Sequence, residues 1–214
     1  MIELYDRYSQ ESRDLHESLV ATGLSQLGVV IDADGFLPDG LVSPFTYYLG
    51  YEKGKPLYFN QVPVPAFWEI SGNNQSARIE DMTQERAVIH YADGMQARLV
   101  KQVDWKDLEG RVRQVDHYNR FGACFATTTY SADSESIMTI YQDVNGQEVL
   151  LENHVTGDIL LTLPGQPMRY FANKVEFITF FLQDLEIDTS QLIFNTLATP
   201  FLVSFHHPDK SGSD

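Results

Sequence analysis

The sequence predicts an α+β protein that is mostly β, an extended antiparallel β-meander inserted into part of an α/β layer. Three observations carry this. Turn signals recur about every 12 residues, at Glu109-Gly110, Gly122-Ala123, Asp133-Ser134, Asn145-Gly146 and Thr156-Gly157. The stretches between them are rich in Val, Ile, Thr and aromatics and alternate with period 2, as strands with two unlike faces do. Both ends of the chain instead pair a helical apolar period with short, nearly continuous apolar runs, the pattern of strands covered on both sides.

Taken in order, the segment from Ser9 to Gly23 places Leu15, Leu19 and Val20 on one helical face, and Gly23 is suited to end that helix. "LGVVID" (27–32) reads as a covered strand. "KPLYFNQVPVPAFWEI" contains Pro56, Pro63 and Pro65, which lack the N–H a central strand needs, so an edge or connecting segment is expected. Six strands then follow, at 85–93, 97–107, 111–120, 124–133, 136–144 and 148–156. Their connections are too short for crossovers, so neighbours run antiparallel.

Alternation assigns the faces. In 111–120, Val112, Gln114, Asp116 and Tyr118 leave by one side, and Arg113, Val115, His117 and Asn119 by the other. In 124–130, Phe125, Thr127 and Thr129 oppose Cys124, Ala126, Thr128 and Tyr130. Neither side is purely apolar, which predicts a sheet exposed on much of both faces. After Pro167, Asn173 with Glu176 forms a capping-box-like start, and Val175, Ile178, Leu182 and Leu185 recur at helical spacing. "QLIFNT" (191–196) and "PFLVSFHH" (200–207) read as covered strands and "PDKSGSD" as a frayed tail. The expected organisation is residues 1–54 as the first part of the α/β lobe, 55–170 as the meander, and 171–214 as the rest of the lobe with the tail.

A net charge of −15 opposes nucleic acid as the main partner and direct electrostatic binding to an anionic membrane. No run approaches the ~18 apolar residues of a membrane span, and the first residues, MIELYDRYSQESRD, are acidic where a secretory signal is basic. A cytoplasmic protein is expected. Cys124 is the only cysteine, so an intrachain disulfide and a cysteine-rich zinc site are excluded.

The search for chemistry returns little. GxGxxG, GxSxG and HExxH are absent. "GYEKGKP" (50–56) is one residue short of a phosphate loop between its glycines, and Pro56 stands where Ser or Thr would hold magnesium; a polar turn explains it better. His206 and His207, adjacent on a strand, point to opposite faces and cannot share an ion without a bulge. Glu80-Asp81 and Asp104 with Asp107 are acid pairs of the kind an acidic chain acquires by chance. "SGNNQ" (71–75) reads as a polar connecting loop. No metal site and no cofactor is expected. The one concentrated group is aromatic: Trp105, Tyr118, Phe121, Phe125, Tyr130 and Tyr141. Cross-strand packing accounts for it, and its alternative is a surface that stacks against a chain or a sugar.

The runs "LVSPFTYYLG", "KPLYFNQVPVPAFWEISGNNQ", "VRQVDHYNRFG", "ENHVTGDILLT" and "TPFLVSFHH" resemble the accessory Sec system glycosylation chaperone family. These are the B, or stabilising, subunits of the two-component O-GlcNAc transferase of serine-rich repeat adhesins in streptococci and related bacteria. The resemblance runs from Met1 to about His207. It implies a GT-B-type, Rossmann-like first lobe carrying the meander, with a second lobe further along such a protein. It implies binding rather than catalysis, with no cofactor: the catalytic A subunit holds UDP-GlcNAc, and the B subunit stabilises it and captures the Ser/Thr-rich adhesin. Membrane association would come through that complex, at the cytoplasmic face. The residues expected to meet acceptor or partner are Trp105, Arg113, Tyr118, Arg120, Phe121, Tyr130 and Tyr141. The rival expectation is a sugar-nucleotide-dependent glycosyltransferase in its own right.

Overall fold

The computed structural model describes residues 2–92, 97–186 and 192–194. The chain opens with strand β1 (Ile2–Tyr5), helix α1 (Gln10–Ala21) and strand β2 (Leu27–Val30), with β2 parallel to β1. Ser9 caps α1 by accepting from the Ser12 N–H, and the helix ends as expected on Gly23, at φ 71°. The Gly23 and Leu24 N–H groups donate back to Val20 and Leu19, satisfying carbonyls the helix end would orphan. The buried positions of α1 differ from the apolar stripe. Val20 is 54% exposed, while Ser12 and His16 are buried. The reason is Glu3, a fully buried carboxylate in the middle of β1, which accepts from the Tyr5 hydroxyl at 2.8 Å and lies 2.6 Å from His16 Nδ1. That same Glu3 interrupts the apolar run, so β1 was not legible as a strand. Burial, with Glu3 as hydrogen-bond partner, pushes the Tyr5 phenol up.

The short β3 (Leu41–Val42) adds parallel to β2, and α2 (Pro44–Tyr47) follows. The prolines between 56 and 65 then lie in an irregular strap with one 3-10 turn at Phe59–Gln61. Ten antiparallel strands come next: β4 (Glu69–Gly72), β5 (Ser76–Asp81), β6 (Gln84–Tyr91), β7 (Val100–Lys106), β8 (Val112–Tyr118), β9 (Cys124–Tyr130), β10 (Ser136–Gln142), β11 (Glu148–Asn153), β12 (Ile159–Leu161) and β13 (Arg169–Phe171). Each pairs only with its chain neighbours. "SGNNQ" is the tip of the β4–β5 hairpin, where Asn73 Oδ1 accepts from the Gln75 and Ser76 N–H groups.

Four loops explain the 12-residue rhythm. Asp107, Asn119, Ser131 and Asp143 each begin one, and each side-chain oxygen accepts from the N–H groups two and four residues on. Three residues after each comes a left-handed backbone: Gly110, Gly122, Ser134 and Gly146, at φ 80°, 85°, 62° and 75°. This is a three-residue hairpin loop, a type I turn closed by a left-handed residue, and glycine suits that last position because it has no Cβ to clash. The sequence shows the glycines; the polar residue that opens each loop is the other half of the signal.

A bulge beside the β8–β9 loop exchanges the expected faces of Cys124 and Phe125. The register shifts between His117 and Tyr118, so Cys124 packs with Tyr118 while Phe125 turns to the other side, 6.4 Å from His117 and 6.5 Å from Tyr141. The extra residue displaces the alternation by one.

The sheet is covered on one face at a time, not open on both. Following the pairing register, Ile79, Ala87, Ile89 and Val103 share one face in β5–β7, and the proline strap lies over them with Leu57, Phe59, Val62 and Trp68. In β9–β13 the opposite face is buried. Ala126, Tyr141, Leu150, Ile159 and Phe171 pack there on the α/β layer and on helix α3 (Lys174–Asp184). Helix α3 starts on Asn173, which accepts from the Glu176 N–H, and buries Phe177, Ile178, Phe181 and Leu182. Strand β14 (Leu192–Phe194) pairs parallel with β1, giving the order β14-β1-β2-β3, so the ten strands form an insertion between β3 and β14. The expected strand at 200–207, the His206-His207 pair and the tail lie outside the described residues.

Candidate interaction surfaces and crease

The alternating cover leaves two open faces. On β9–β13 the open side carries Thr127, Thr129, Met138, Ile140, Leu151 and Leu160, all half-buried, and Tyr170 at 64% exposure. Its chemistry is apolar with hydroxyls. On β5–β7 the open side is polar and ion-paired: His90 Nε2 lies 2.9 Å from Asp104, and Arg78 and Lys106 both bind Glu85. Surfaces so different in chemistry suit different partners.

Between the sheets runs a crease, walled by residues 32–35 after β2 and by the buried-side face of the middle strands. It holds three cavities, of about 320, 200 and 250 Å³. Phe125 lines the first two and Ala33 the last two, so they are neighbours along the crease. Each cation along it has a carboxylate beside it: Lys101 with Asp34 at 3.3 Å, Arg7 with Asp32 at 4.0 Å and Arg120 with Asp39 at 2.6 Å.

The residues expected to bind do not form one surface. Trp105 and Tyr118 face the proline strap; Tyr118 is 7% exposed, and the Trp105 indole N–H donates to Asp116 at 2.7 Å. Tyr118 was expected on an exposed sheet; the strap covers it. Tyr141 faces the other way and is buried, stacked on Phe45 at 5.1 Å with its hydroxyl donating to Glu152. Burial pushes its phenol well up. Arg113 is held within its own hairpin by Asp107. Arg120 and Phe121 do meet, with the guanidinium 5.1 Å over the ring, at the 320 Å³ cavity. There Arg120 also donates to the Leu37 carbonyl, fastening the β8–β9 loop to the α/β layer. The fit is close: a Cβ on Gly35 would stand 2.6 Å from the Tyr118 carbonyl oxygen. Tyr130 lines the middle cavity.

Sequence reasoning missed a row of four residues in that middle cavity. His117 Nε2 lies 2.9 Å from Thr128 Oγ1, Thr128 Oγ1 lies 2.8 Å from Thr139 Oγ1, and Thr139 Oγ1 lies 2.8 Å from His154 Nε2. No local signal pointed to it: Thr139 stands opposite Thr128 only because the register of that hairpin shifts between Ser136 and Met138. Burial pushes His117 down. Burial and the nearby Asp116 push the Cys124 thiol up to about 11, which keeps it protonated and poorly nucleophilic at neutral pH.

Three family models match in succession: the GtfB N-terminal domain over residues 2–48, the GtfB middle domain over 68–172 and the GtfB third domain over 174–214. The chain is 94% identical over its whole length to the UDP-N-acetylglucosamine–peptide N-acetylglucosaminyltransferase stabilizing protein GtfB of Streptococcus pneumoniae. It is 52% identical, again over its whole length, to the protein of the same name from Streptococcus gordonii. The chain spans 48% of each of these relatives, about half their length. One chain in a crystal structure of a GtfA/B complex bound to UDP and GlcNAc superposes with a TM-score of 0.92 at 54% identity, over 96% of this chain and 46% of that one.

Proposed function

This chain belongs to the GtfB family, and on that premise we propose that it acts within a non-catalytic subunit that stabilises a catalytic O-GlcNAc transferase. In the same reading it binds the Ser/Thr-rich acceptor polypeptide of a serine-rich repeat adhesin during O-glycosylation in the cytoplasm. Any contact with the membrane's cytoplasmic face comes through the complex. The observation that supports this best is the half-open sheet. Its uncovered strip of Met138, Ile140, Leu151, Leu160 and Tyr170 is an apolar surface of the kind that seats a protein partner. The crease offers a second, polar and charge-balanced surface, fitted to an uncharged hydroxyl-rich chain. An extended acceptor loses conformational entropy on binding, so modest affinity that grows with its length is expected.

Two measurements test the two halves of the reading. Co-purification of the chain with a catalytic GtfA subunit should succeed for the wild type and fail for Ile140→Asp/Leu151→Asp; assembly unchanged by both substitutions removes the strip as the partner surface. Titration with an unglycosylated serine-rich peptide, on the chain alone and with GtfA, should give saturable binding; none in either state ends the acceptor role. The rival, a sugar-nucleotide-dependent transferase in its own right, needs an anchor for a diphosphate, and the crease cations are already paired with carboxylates. UDP-GlcNAc should therefore leave the melting temperature of the chain alone unchanged, whereas a ligand bound by the native state must raise it.

A further inference from the structure

The row His117–Thr128–Thr139–His154 crosses four adjacent elements of the meander: β8, β9, β10 and the residue after β11. Thr128 and Thr139 are 5% and 4% exposed, and both line the 200 Å³ cavity. Cross-strand threonine pairs do stabilise sheets, but valine has nearly the same shape and would fill a buried pair without needing hydrogen-bond partners. Here two buried hydroxyls are held by two imidazoles at the floor of a cavity.

Proton counting shows what the row can offer. Three hydrogen bonds need three protons, and the two hydroxyls supply at most two, so at least one imidazole donates through Nε2, and where the other accepts every proton is used. The row can run in either direction. Each threonine oxygen makes two bonds and retains a third position, as an acceptor. With one imidazole accepting, the row offers a guest acceptors only; with both donating, one hydroxyl proton is left to donate as well, so a guest that is both donor and acceptor, as a hydroxyl is, can be met in every state. The Phe125 and Tyr141 rings line the same cavity and suit the carbon-bound hydrogens beside a hydroxyl. The paired cations of the crease argue against an anionic guest. The volume, at roughly 30 Å³ per liquid water, holds a side chain with a few waters or one sugar ring.

We propose that this cavity is a subsite for the hydroxyl group of an uncharged ligand, with the histidine–threonine row as its recognition element. The inference deepens the acceptor reading above and rests on it. The hydroxyl could be that of a serine side chain or of a carbohydrate, and the test separates the two.

The test is titration of the 214-residue chain, alone and combined with GtfA, with an unglycosylated serine-rich peptide and separately with N-acetylglucosamine. Wild type is compared with Thr128→Val/Thr139→Val, which keeps side-chain shape. Peptide binding weakened about tenfold or more in the double variant, with an unchanged melting temperature, supports a serine hydroxyl as guest. The same loss seen with N-acetylglucosamine alone supports a carbohydrate hydroxyl and removes the peptide reading. Equal binding by variant and wild type overturns the subsite and leaves the acceptor reading standing. Binding of neither probe by wild type overturns both. A second readout needs no variant: the His117 and His154 ring resonances of the wild type should shift on saturation with the bound probe, and resonances that stay fixed overturn the subsite.

Discussion

The two halves of the ten-stranded sheet belong to one continuous antiparallel ladder and yet are covered on opposite faces. In β5–β7 the buried side is Ile79, Ala87, Ile89 and Val103, small enough for an irregular proline strap to lie across it. In β9–β13 the buried side is Tyr141, Leu150, Ile159 and Phe171, large side chains that meet a helix and a second sheet. Between bulges, alternation fixes which residues share a face. It does not say which face will be buried, because that depends on segments distant in sequence that fold back over it. The two apolar clusters share no buried residue, so the halves should behave as separate cores.

That separation can be broken by substitution. Phe177→Ala removes a fully buried ring 5.1 Å from Phe45 and 5.4 Å from Phe171, and should cost about 3–5 kcal/mol in denaturant unfolding. Ile89→Ala, fully buried under the strap, should cost about 2–4 kcal/mol. The double variant should equal the sum within about 0.5 kcal/mol; a larger coupling would mean that the two covers form one core.

The loops offer a finer contrast. Asn119 is 4% exposed and begins the loop pinned to the α/β layer, whereas Ser131 begins an exposed one. Asn119→Ala should cost about 1–2 kcal/mol and Ser131→Ala less than about 1 kcal/mol, because the first leaves half-buried N–H groups without an acceptor and the second leaves exposed ones that water can meet. Equal costs would show that the attachment to the lobe adds nothing.

Acid titration reads the same design through charge. Burial raises the Asp107 carboxyl, but this is outweighed by hydrogen bonds from Arg111, backbone and side chain, and from the Glu109 N–H, which hold it at about 2. For Asp143, the Gln147 N–H and the Asn145 groups act in the same direction. A carboxyl lowered in the folded state stabilises fully above its unfolded value near 4 and loses that contribution as the pH falls toward 2. Asp107→Asn should flatten stability across that window, and an unchanged acid limb would reject the assignment. The smallest effect belongs to the open strip: Leu160→Ser should change stability by less than about 0.5 kcal/mol while weakening assembly with GtfA.

Much of this fold was legible. The turn rhythm, six of the ten meander strands and both principal helices follow from glycine placement, alternation and capping residues. What escaped did so for physical reasons. Glu3 hides β1, while β12 and β13 span three residues each, too few to show a period. The bulge at Phe125 has no signature in the local sequence. For the candidate site, alternation put Phe125 on the wrong face and could not weigh burial, so Tyr118 and Tyr141 read as displayed. The histidine–threonine row was visible only after the hairpin register was known.

The pairing of Ile2 with Leu192 has a kinetic consequence. The meander is built from contacts between chain neighbours, which form early and quickly, whereas the parallel sheet must wait for residues separated by nearly the whole chain. On a ribosome the ten strands can zip hairpin by hairpin while β1 has no β14 to pair with. During that interval the wide face of β9–β13 has neither α3 nor a finished α/β layer against it. The order of emergence thus makes this large apolar face the last to be covered, and the stretch of synthesis before α3 emerges the one most exposed to aggregation.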